Sequence, residues 1–104
     1  MNLAVDVMQD VKKVEIIINS LYLEKALAIL DNIKVSGYTI IEDTSGKGDR
    51  GVSCSALDCD FSSHYIMTVC TNEQQLNTLL EQFTPLLKKV GGICFVIDAK
   101  WISH

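Results

Sequence analysis

Apolar positions along the chain alternate between two periods, and each period marks an element. Val11 to Ile18 sets β-branched Val11, Val14 and Ile16 to Ile18 around Lys12, Lys13 and Glu15, which reads as a strand running into Asn19-Ser20. Ser20 then suits the N-cap of a helix from Leu21 to about Lys34. Leu23, Leu27 and Leu30, joined by Ala26 and Ile33, recur at helical spacing and form its buried stripe. Gly37 ends the connection, and Tyr38 to about Asp43 is a second strand. A long polar stretch, residues 44–63, precedes a third strand from His64 to Thr71, with Tyr65, Met67 and Val69 on one face. Thr71-Asn72-Glu73-Gln74 matches a capping box and opens a second helix, with Leu76, Leu79, Leu80 and Phe83 inward. Pro85 lacks a donor and clashes with the preceding turn, so that helix is expected to break at Thr84 and restart. Gly91-Gly92 closes it, and Ile93 to Asp98 is the fourth strand.

The order β-α-β-β-α-β is the ferredoxin-like pattern, an α+β fold in which two helices cover one face of an antiparallel sheet. The other face ordinarily meets water and alternates apolar with polar residues. Here Ile16, Ile17 and Ile18 run together, as do Ile40 with Ile41 and Ile93 to Ile97. Both faces are therefore apolar, and packing between copies of the chain is the simplest cover for the second.

Composition narrows the function classes. The 104 residues are expected to form one domain over 1–104, and 48% hydrophobic content is enough for a core. A net charge of -4 disfavours nucleic acid as a partner, and the strands lack paired aromatics for stacking RNA bases. Met1 to Asp10 does not read as a signal peptide, and no run approaches a membrane span, so a cytoplasmic location is expected.

Candidate chemistry concentrates in Ser45-Gly46-Lys47-Gly48-Asp49-Arg50-Gly51, which holds three of the six glycines and the sole arginine. Glycines let the backbone approach a ligand closely, and Arg50 with Lys47 brings cationic donors suited to phosphate. Read alone, the motif is equally a charged surface loop. Cys54 and Cys59, four residues apart, can be a redox pair, part of a metal site with Asp60 and His64, or two free thiols. Cys70 and Cys94 sit in apolar runs as small hydrophobes. Lys88-Lys89 complements the dipole at a helix C-terminus or meets a phosphate. Trp101 can cap the core, meet another copy or stack on a ligand base. No nucleophile, base and orienting group occur together, so no catalytic residue is assigned and the chain is not read as an enzyme.

Gly37-Tyr38-Thr39-Ile40 leading into Ser45 to Arg50 resembles the second strand and T-loop base of PII signalling proteins. The likeness is to the PII-like branch associated with bicarbonate transporters and carboxysomes, and Val90-Gly91-Gly92-Ile93 is similar to that family's B-loop turn. The resemblance implies a homotrimer with inward-facing sheets and an adenine nucleotide (AMP, cAMP, ADP or ATP) in the clefts between subunits. It further implies phosphate contacts from Gly46, Lys47, Gly48 and Arg50, B-loop amides from Gly91 and Gly92, and an adenine near Thr39 and Ile40. A target protein, such as a membrane transporter or a metabolic enzyme, would dock on the T-loop, about residues 44–63. Departures from the family are also plain. Val52 to Ser63 holds no tyrosine for uridylylation and no glutamine for magnesium-bridged 2-oxoglutarate. The short tail, 99–104, lacks both paired arginines and the terminal cysteine pair of some transporter-associated relatives. These gaps favour AMP, cAMP or ADP over a triphosphate. An amino-acid-sensing domain on the same fold is the competing reading. A small acylphosphatase-like enzyme ranks below it, because Arg50 lies in the wrong connection for that chemistry.

Overall fold

The computed structural model describes residues 7–44 and 62–102. Strand β1 (Met8–Asn19) leads through a 3-10 turn (Ser20–Tyr22) into helix α1 (Leu23–Ile33). Strands β2 (Tyr38–Thr44) and β3 (Ser63–Cys70) follow, then helix α2 (Glu73–Val90) and strand β4 (Ile93–Ile102). The sheet order is β2-β3-β1-β4, with every neighbouring pair antiparallel. That order, with two helices on one face, is the α+β ferredoxin-like fold expected from the element pattern.

Strand alternation sorts side chains onto the two faces. On the helix side, Val14, Ile16 and Ile18 of β1 and Ile66 of β3 are fully buried against Ala26 and Leu30 of α1 and Leu79 and Phe83 of α2. Each large side chain buried here contributes about 1.5–3 kcal/mol relative to exposure. On the opposite face the register aligns Ile41, Tyr65, Ile17 and Ile93 in one row and Thr39, Met67, Glu15 and Phe95 in another. Ile41 is 53% exposed, Ile93 46%, Phe95 50% and Ile97 40%. So many large apolar side chains on one face mark an interaction surface.

Three local expectations need correction. Helix α2 runs unbroken through Pro85. Proline there denies Glu81 its usual backbone donor, but Pro85 is exposed, so water can serve that carbonyl. The Thr84 hydroxyl meanwhile donates to the Leu80 carbonyl at 2.6 Å. Packing of Leu79 and Phe83 before the proline, and of Leu86 and Leu87 after it, outweighs the local penalty. Second, the caps differ. Asn19, not Ser20, accepts from the Leu21 amide (2.9 Å) and caps a 3-10 turn, so α1 begins two residues later than expected, at Leu23. Asn72, not Thr71, caps α2 by accepting from Gln75 N (2.8 Å). Gln75 reaches back to the Thr71 amide at 3.2 Å, so the reciprocal box exists but is shifted by one residue.

Helix α1 closes at Lys34, where it was expected to end, and φ 59° there lets Val35 N reach Leu30 O. Third, β4 does not stop at Asp98. It continues to Ile102 because Asp98 pairs with Lys12 and Lys100 with Asp10 directly across the β1 ladder. These exposed pairs fix register more than they add stability.

Candidate functional site

The candidate residues fall on two separate parts of the described structure. Thr39 and Ile40 lie on β2, and Gly91 and Gly92 lie in the turn between α2 and β4. Gly46, Lys47, Gly48 and Arg50 lie outside the described residues, as do Cys54 and Cys59.

On β2, Thr39 is exposed on the open face opposite Met67. Ile40 turns the other way, is half-buried and packs on the core, so toward a ligand it can offer only its backbone. The strand start is held by the Thr68 hydroxyl, which donates to the Gly37 carbonyl at 2.6 Å. Past Ile41 an extra residue on β2 shifts the register before Thr44 pairs with Ser63. Such a bulge re-aims the chain as it leaves the sheet.

The α2–β4 turn is built on two glycines with different duties. Gly91 adopts φ 80°, a left-handed conformation that glycine takes without strain, and its amide donates to Leu87 O at 2.7 Å. That amide therefore closes the helix. Gly92 is required for space, because a Cβ there would lie 2.8 Å from Leu87 Cδ2 and 2.9 Å from the Ile17 carbonyl. Lys88 and Lys89 occupy the preceding helical turn, where cations complement the helix dipole.

Within one chain these two parts do not meet. β2 and β4 are the opposite edges of the sheet, three strand spacings or roughly 14 Å apart. A ligand touching both needs them from different copies of the chain.

Two features were not anticipated from sequence. On the open face the Tyr65 hydroxyl donates to Glu15 Oε2 at 2.5 Å, and Lys13 Nζ lies 3.3 Å from the same oxygen. The Tyr65 hydrogen bond, helped by Lys13, holds the Glu15 carboxyl below its ordinary range and the Tyr65 phenol above its own. Charge alternation in Lys13-Val14-Glu15 was the available signal, but the partner strand's register was needed to read it. The second is the partner of Trp101, a residue already singled out in the sequence: its Nε1 donates to Gln9 Oε1 at 3.1 Å. Trp101 lines a shallow cavity of ≈ 370 Å³ with Gly37, Thr39, Met67 and Val69. Cys70 and Cys94 are both free, and burial pushes their thiols up, away from reactive thiolate. Among the described residues no helix is long and apolar enough to cross a membrane.

A ferredoxin-like sandwich with an apolar open face, a long β2–β3 connection and a glycine turn before β4 defines the class of small α+β domain to which known proteins can be compared. The family model for nitrogen regulatory protein P-II matches residues 11–103. CPII, a nitrogen regulatory PII-like protein from Thiomonas intermedia K12 solved with ADP, AMP and bicarbonate, is 31% identical with a TM-score of 0.79. That match covers 93% of this chain and 98% of CPII. CPII from the same organism bound to ADP and bicarbonate is 34% identical, with a TM-score of 0.77 and 90% of each chain covered. Its apo form is 31% identical with a TM-score of 0.73, covering 90% of this chain and 94% of that one. No curated protein sequence matches. The chain belongs to the nitrogen regulatory protein P-II family.

Proposed function

We propose that this protein is a PII-like signal-transduction regulator that binds an adenine nucleotide between copies of itself. The observation that carries the reading is the separation of the two candidate half-sites. Thr39 and Ile40 lie on one sheet edge and Gly91 and Gly92 on the other, so a site using both is completed only by a neighbouring copy. The apolar open face supplies a surface for that assembly, read as a homotrimer. CPII, at about a third identity over nearly its full length, was solved with ADP, AMP and bicarbonate, which supports the ligand class.

In this reading Gly46, Lys47, Gly48 and Arg50 hold the phosphates, while Thr39 and Ile40 lie beside the adenine. Gly91 and Gly92 bring the turn before β4 close to the ligand. A nucleotide that contacts the 44–63 segment differently in its two states shifts that segment between them, and its bound form engages a target. The target class is a bicarbonate transporter or an enzyme of carbon or nitrogen metabolism. The protein acts in the cytoplasm as a regulator and not as an enzyme.

Calorimetric titration of AMP, cAMP, ADP and ATP, each with and without bicarbonate, tests the reading. AMP or ADP is expected to bind, and Arg50→Ala to weaken it about tenfold, the loss of one hydrogen bond to a charged group. Absence of heat from every adenine nucleotide at millimolar concentration contradicts it.

A further inference from the structure

We propose that Lys13 and Glu15 pair between copies of the chain, Glu15 of one with Lys13 of the next, and so fix the register in which the open faces pack. The proposal rests on the assembly part of the reading above and adds the residues that align the copies.

Strand register puts both residues on the open face of β1, adjacent on that face and about 7 Å apart along the strand. Glu15 shares its row with Met67 of β3 and Phe95 of β4, and Lys13 shares the next row with Val69 and Ile97. Among the described residues they are the only charged side chains at the paired positions of this face. A lone carboxylate there would oppose any contact that covers the face, because it would lose water and gain no partner.

The single chain prepares the pair for a dry contact. The Tyr65 hydroxyl and Lys13 Nζ both approach Glu15 Oε2, at 2.5 Å and 3.3 Å. The Glu15 side chain remains 22% exposed and that of Lys13 39%, so each keeps an accessible part. Among the described residues Glu15 Oε1 and the other N–H groups of Lys13 therefore have capacity for a partner outside the chain. Tyr65 is a positioning residue, since it ties the carboxylate to β3 without adding charge.

The chemistry of the patch selects its occupant. The two charges cancel, so the patch offers no net attraction to an acidic or a basic partner. Opposite charges set side by side are instead self-complementary: a second copy brings a cation for the carboxylate and a carboxylate for the cation. In a ring of copies one chain's Glu15 meets the next chain's Lys13, and a polar pair inside an apolar contact admits few registers. Exposed Ile93, Phe95 and Ile97 around the pair supply the apolar area, and the pair supplies the alignment.

Charge-reversed full-length chains test the pairing. Lys13→Glu puts two carboxylates on the patch and Glu15→Lys puts two ammonium groups there; circular dichroism establishes that each is folded. Light scattering is expected to find the parent assembled and each variant alone monomeric at the same concentration. An equal mixture of the two is expected to assemble again in part, with both chains in one particle by native mass spectrometry, because most contacts in a mixed ring join unlike chains. Single variants that assemble like the parent overturn the pairing and leave the assembly reading standing. A mixture that stays monomeric overturns it too, since pairing within one chain gains nothing from mixing. Where a reversed chain does not fold, Lys13→Met is diluted beside the parent. Its assembly is expected to come apart at a concentration about tenfold higher, or more, and an unchanged midpoint overturns the proposal. A parent that is itself monomeric overturns the assembly reading, and the pairing falls with it.

Discussion

Gly92→Ala tests the packing of the turn between α2 and β4, where fold and candidate site coincide. The added methyl would sit 2.8 Å from Leu87 Cδ2 and 2.9 Å from the Ile17 carbonyl oxygen. Leu87 can give way by changing rotamer. Ile17 cannot, because it is held in the ladder between Tyr65 of β3 and Ile93 of β4. The clash is therefore relieved only by shifting the start of β4 away from β1, an overpacking cost of about 1–3 kcal/mol. For a domain of this size that corresponds to a fall in melting temperature of roughly 4–8 °C per kcal/mol. Thermal unfolding followed by circular dichroism, at one fixed protein concentration because assembly shifts the midpoint, gives the value. Gly91→Ala is the control. It is destabilised by a different mechanism, since an alanine at φ 80° is strained by about 1–2 kcal/mol whatever the space around it. Gly91→Asn should recover part of that loss, because asparagine tolerates the left-handed region, whereas Gly92→Asn should not. A Gly92→Ala protein melting within a degree of the parent would refute the close-approach reasoning.

Pro85→Ala is expected to raise stability by up to about 3 kcal/mol, the helix-interior cost of proline, because Pro85 is exposed within an unbroken α2; urea unfolding measures it, and a loss would show that the ring has a packing role. The Glu15 carboxyl is held below its ordinary value of 4.5, chiefly by the Tyr65 hydroxyl and also by Lys13. Its contribution is therefore present above that value and is lost as pH falls through the lower folded one. Tyr65→Phe should flatten the acid limb of a melting-temperature profile below about pH 4.5, and an unchanged limb would mean that another carboxylate governs it.

The element order was legible because the apolar stripes of α1 and α2 and the β-branched runs of β1 and β3 carry the two periods cleanly. Boundaries were less legible where two residues compete for one role. Ser20 and Asn19, or Thr71 and Asn72, are equally able caps by residue type, and only backbone conformation selects the asparagine in each case. Pro85 misled because its local cost is visible in the sequence, while the compensating burial of Phe83 and packing of Leu86 arise from tertiary contact. The end of β4 was misplaced because Asp98 and Lys100 look like a polar tail until Lys12 and Asp10 are set opposite them. For the candidate site, Gly91-Gly92 could be read as a turn, but the clash that fixes Gly92 depends on Ile17, distant in sequence. For Trp101 the sequence left a core cap, a contact with another copy and base stacking open, and only the strand register sets it opposite Gln9, lining a cavity with Thr39.

The central claim is that nucleotide binding requires two copies of the chain packed through the open face. Ile97→Glu tests it most directly. Ile97 is 40% exposed on that face, opposite Lys13, so a carboxylate there is tolerated in a single chain and opposed in a packed interface. The measurement is ADP titration by calorimetry on the variant, with its mass read by light scattering. A folded monomer that no longer binds ADP is the predicted result; a folded monomer that binds ADP as tightly as the parent assembly would contradict it.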